Sequence, residues 1–84
     1  MKKTRKASQR NIIGHRVRKA RFQLKPVVTQ EDLAGRMAAK GVSVDRTAIS
    51  RIELKERYVM DFEAKALAKC LGVSVAWLFA ESVS

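Results

Sequence analysis

The chain has 84 residues, 46% of them apolar, and a formal net charge of +10. That length fits a single domain with a modest core, which locally packed helices fill most easily. One cysteine, Cys70, and one histidine, His15, exclude an internal disulfide and a cysteine-based zinc cage, so no metal or other cofactor is expected.

The positive charge is unevenly spread. The first thirty residues hold ten Lys or Arg and no acid, and the first carboxylate is Glu31. Such a bias favours polyanions, nucleic acid ahead of an anionic membrane. No apolar run approaches the roughly 20 residues of a membrane span. The opening MKKTRKASQR has the charge of a signal-peptide front, but it leads into NIIGHRVRK rather than an apolar block. Residues 1–10 therefore read as a flexible basic arm, 11–80 as the domain and 81–84 as a short tail. The single cysteine fits a reducing, cytoplasmic setting. There is no internal repeat, no low-complexity tract and no evident small-molecule site.

Five short helices are expected, and strand signals are too short to compete, so the fold class is all-α. The first helix spans about Ile12 to Leu24, with Ile13, Val17, Ala20 and Leu24 at helical spacing and Arg21 at the edge of that stripe. Lys25-Pro26 ends it, because a residue before proline is pushed out of the helical region. The second starts at Thr29 as N-cap, with Glu31 and Asp32 in the first turn, where the helix dipole favours acids. Its buried stripe is Leu33, Ala34, Met37 and Ala38, and Gly41 marks its stop. The third, capped by Asp45 or Ser43, divides by kind. At 100° per residue, Arg46, Thr47, Ser50 and Arg51 share an arc of about 140°, and Ala48, Ile49 and Ile52 take the other side. The fourth begins after Asp61 as cap and carries Phe62, Ala66, Leu67, Cys70 and Leu71 before Gly72 closes it. In the fifth, Ser74 caps Val75 to Phe79, where Trp77 and Phe79 either close the core or form a dimer seam. Phe22 lies opposite the first helix's stripe as a second candidate contact.

Two helices joined by a turn, the second polar on its outer face, suit a major groove that admits one α-helix. An ordinary surface helix has the same pattern. The blocks IGHRVRKAR at 13–21, TQEDLAGRM at 29–37, TAISRIE at 47–53 and ALAKCLGVSVAWLF at 66–79, in that order, resemble the phage-repressor and Cro type of helix-turn-helix protein, also called XRE-like. The resemblance implies a compact five-helix domain that binds double-stranded DNA. It implies base contacts from Arg46, Thr47, Ser50 and Arg51 on a recognition helix at 45–54. Phosphate contacts are expected from Thr29, Gln30, Lys55, Arg57, Tyr58 and Arg16. Arg21 and Glu53 are expected to form a structural ion pair between the first and third helices. The function implied is that of a transcriptional repressor, working as a homodimer on a two-fold site. The alternative is a protein–protein module, such as an antitoxin or adaptor subunit, whose DNA binding needs a partner. Catalysis is not expected, since no phosphate loop, metal cluster or activated nucleophile is present. In one respect the chain departs from compact members of that group. Ala34 and Ile49 are fifteen positions apart, the extra length lying in AAKGVSVD, so an extra turn of the second helix and added contacts from the 38–45 connection are both open.

Overall fold

In the computed structural model, which describes residues 9–80, five helices and their connections enclose one core. They are α1 (Gly14–Gln23), α2 (Gln30–Ala39), α3 (Arg46–Glu53), α4 (Asp61–Leu71) and α5 (Val75–Phe79). The described residues contain no strand. The basic arm through residue 8 and the tail at 81–84 lie outside the described residues.

Local chemistry sets most boundaries. The Thr29 hydroxyl accepts the Asp32 amide at 3.0 Å and the Asp32 carboxylate accepts the Thr29 amide at 3.1 Å, a reciprocal box that opens α2. These bonds also hold the Asp32 carboxyl below its ordinary range, the backbone bond from Thr29 being the larger cause. Asp45 caps α3 through the Ala48 amide at 2.8 Å, and Ser74 caps α5 through the Trp77 amide at 2.9 Å.

Three helices end in the same backbone closure. The amide of Val42 reaches back to the Met37 carbonyl, Glu56 to Arg51 and Val73 to Ala68. The residue just before each of these amides has positive φ: Gly41 at 80°, Lys55 at 63° and Gly72 at 70°. Glycine meets that need at two ends, and a lysine takes it at the third.

The core joins Ile13, Val17 and Ala20 of the α1 region to Leu33 and Met37 of α2, Ile49 and Ile52 of α3, Leu67 and Leu71 of α4, and Leu78 of α5. Helix α3 rests on both α1 and α2, while α4 packs on α1, α2 and α5. Cys70 is a small core residue, its thiol 3.7 Å from Met37 Sδ and pushed up in pKa by burial.

Several expectations need correction. Asp61 is the first residue of α4 rather than its cap; Met60 is the cap residue, and its amide donates to Glu63 Oε1 at 3.0 Å. Of the apolar residues carried by α4, Phe62 is 59% exposed, because Glu63 and Ala64 take the inward positions of the first turn. Ala38 is exposed. The inward residue of α5 is Leu78, with Trp77 half-buried and Phe79 exposed. Helix α2 gains no extra turn: it stops at Ala39, and the added length is the connection 40–45. Val44 plugs that connection into the core, with Val42 packed beside it.

Candidate nucleic-acid interface

The face of α3 that points away from the core carries Arg46, Thr47 and Arg51, all exposed, with Ser50 half-buried beside them. The opposite face is spent on packing, since Ile49 and Ile52 have no exposed surface. Asp45 is spent on its cap. The four polar side chains therefore project from a helix whose back and N-terminus are fixed.

Behind this face lies a buried ionic network. Arg21 Nε meets Glu53 Oε2 at 2.6 Å and its Nη2 donates to Glu53 Oε1 at 2.8 Å, with both side chains under a tenth exposed. Its remaining Nη1 donates to the Val28 carbonyl at 3.0 Å. This fork geometry matches a guanidinium to a carboxylate and ties α1 to the last residue of α3. Gln30 joins from α2, its Nε2 donating to Glu53 Oε1 at 3.1 Å. The side chain expected on a phosphate is thus engaged with the ion pair.

Around α3, the expected phosphate ligands fall into two groups. Thr29 is exposed at the head of α2, its hydroxyl oxygen accepting within the cap and its hydrogen left for another acceptor. Lys55 follows α3 directly, and Tyr58 is 66% exposed in the next loop, with Arg10 stacked over its ring at 5.4 Å. Arg57 is committed internally. Its guanidinium donates to both Glu63 oxygens, at 3.1 and 3.3 Å, and to the Tyr58 carbonyl. Burial alone would raise the Glu63 pKa; the Arg57 bonds and the Met60 amide outweigh it and hold the carboxyl below its usual range. Arg16 is committed too, donating from Nε to the Trp77 carbonyl at 3.1 Å and lying 4.0 Å above the Trp77 ring.

His15 is exposed near Lys55, Arg16 and Lys19. Partial burial first, then those three charges, lower its pKa, so the imidazole is neutral at pH 7.

One residue of this region has no place among the sequence candidates. Asn11 ties the chain ahead of α1 to the carbonyls of Ile52 and Arg57. Its signal is a capping-type residue three positions before Gly14, whose amide it accepts at 2.8 Å.

A family model for the helix-turn-helix matches residues 28–78, from just before α2 to the inward residue of α5. The chain belongs to that family, and within it to the phage-repressor and Cro type. Its members are DNA-binding transcription regulators. Helix α1 lies outside the matched residues. No curated protein and no solved structure matches the chain. No helix among the described residues is long and apolar enough to cross a membrane.

Proposed function

We propose that the protein is a sequence-specific transcriptional repressor that inserts α3 into the major groove of double-stranded DNA. The observation that carries this reading is the division of α3, with Ile49 and Ile52 fully buried behind an exposed Arg46, Thr47 and Arg51. Arg46 and Arg51 read guanine edges, where a guanidinium bonds O6 and N7 together, worth about 1–3 kcal/mol of discrimination. Thr47 and Ser50 complete the base-reading face. Thr29 and Lys55 grip phosphates on either side, with Gln30, Tyr58, Arg57 and Arg16 contributing through whatever donors their internal partners leave. Repression follows from occupancy of the site.

One α3 covers a half-site, so a homodimer gains both affinity and specificity. Val75 and Phe79, 44% and 43% exposed on α5, are the surface assigned to the second copy. The same two side chains would serve an antitoxin or adaptor role, which is the competing reading.

Selection of bound duplexes from a random library at near-physiological salt tests the proposal. The expected result is enrichment of a palindrome with half-sites about one helical turn apart. Retention of duplexes without enrichment would sink the sequence-specific reading and leave only charge-driven binding. In that case the exposed α5 side chains would direct the search to a partner protein.

A further inference from the structure

The chain enters α1 through a knot centred on Asn11. The side-chain amide donates from Nδ2 to the Ile52 carbonyl at 3.1 Å and to the Arg57 carbonyl at 2.8 Å. Its Oδ1 accepts the amides of Ile13 at 3.1 Å and Gly14 at 2.8 Å. Both donors and both lone pairs of the amide are thereby used. One position earlier, the Arg10 amide donates to the Lys55 carbonyl at 2.8 Å. Gly14 lies so close to the end of α3 that an added methyl would collide with the Ile52 carbonyl oxygen and stand 3.1 Å from Lys55 Cγ. The two carbonyls gripped by Asn11 flank Lys55, whose backbone has positive φ.

We propose that Asn11 is a positioning residue for DNA binding. It clamps both ends of the 52–57 turn so that Lys55 is presented to a phosphate beside the groove occupied by α3. The inference rests on the DNA-binding reading above. Its physical content is coupling: a surface lysine on an untethered turn samples many directions and gains little from one phosphate. A lysine whose backbone is fixed on both sides starts from a set Cα–Cβ direction and has only its side-chain torsions left to order. A residue that merely fastened α1 to α3 would lower stability without altering what Lys55 contributes.

The test is a double-mutant cycle between Asn11 and Lys55, read as affinity for a random-sequence duplex over a range of salt. Two Asn11 variants are crossed with Lys55→Ala. Asn11→Ala removes all four bonds. Asn11→Ser keeps a capping-type acceptor at the start of α1, loses the amide donors and adds no charge, so it preserves the entry to the helix if the alanine variant unfolds. In the native background, Lys55→Ala should lower affinity about fivefold and flatten the slope of log K against log salt by about 0.9. In either Asn11 background the same substitution should change affinity less than twofold and leave the slope unaltered. Equal losses in all backgrounds would overturn the positioning role while leaving DNA binding intact. So would a Lys55→Ala variant that binds as well as the native protein. Failure of the native protein to bind any duplex would instead remove the DNA-binding reading, and the positioning role with it.

Discussion

Lys55 sits at φ 63° in a closure that Gly41 and Gly72 fill elsewhere. A side chain in that left-handed region costs about 1–2 kcal/mol relative to glycine, less what glycine loses in chain entropy. The lysine therefore stands where stability alone favours glycine. Lys55→Gly should raise the stability by about 0.5–1 kcal/mol while weakening binding to every duplex alike. Thermal melting and a binding titration on the same sample check both halves, and a loss of stability would show that Lys55 makes a compensating contact. At the same scale, Glu53 holds Arg21 and Gln30 at once. Glu53→Ala strands the Arg21 guanidinium, and a buried pair broken on one side costs about 3–5 kcal/mol. The melting temperature should drop steeply, with base preference in the folded fraction unchanged. A normal melt with altered site selection would place Glu53 on the DNA instead.

At the scale of elements, the caps at Thr29 and Ser74, and Asp45 as one of two candidates with Ser43, were readable because a cap is a local event, a short polar side chain bonding an amide three residues on. The start of α4 was misplaced by one residue for a related reason. Asp61 is of capping type, but Glu63 reaches back to the Met60 amide and takes up Arg57 as well. The exposure of Phe62 was not legible, because helical spacing gives a face and not the point at which a neighbouring helix stops covering it. Contacts between distant positions were not legible from periodicity at all: Gln30 with Glu53, and Asn11 with Ile52 and Arg57. They depend on how α1, α2 and α3 meet in space. The Arg21–Glu53 pairing was anticipated only through the family resemblance. The Arg57–Glu63 lock also makes a pH-dependent contribution. The Glu63 carboxyl titrates below its ordinary value of 4.5, so its stabilisation is complete above that value and is lost as pH falls through the lowered pKa. Glu63→Gln should cost about 1–2 kcal/mol at pH 7, a cost that shrinks below pH 4.5 as the native carboxyl takes up its proton, in thermal melts across an acid series. A cost that did not change with pH down to acid unfolding would assign the effect to packing.

For the whole molecule, the net charge of +10 and the acid-free first thirty residues make association with DNA strongly salt-dependent. If about six phosphates are neutralised per protomer, the affinity of a single protomer for a random duplex should fall roughly a thousandfold between 50 and 200 mM salt. Arg51→Ala should behave differently from a charge loss elsewhere. It relaxes preference at one base pair of the selected site by about 1–3 kcal/mol, whereas a phosphate ligand lowers all affinities together. Competition between matched and mismatched duplexes separates the two. The fold presents the polar face of α3 outward and packs that helix against both α1 and α2.

The only tryptophan of the chain is Trp77, half-buried on α5 beneath the guanidinium of Arg16. Its emission is therefore an intrinsic optical gauge of the seam between α1 and α5, set apart from the exposed polar face of α3. A change in that signal on adding DNA would report Arg16 leaving the Trp77 ring for a phosphate or movement at that seam. A constant signal, with binding seen by another probe, describes a domain that docks as a rigid body.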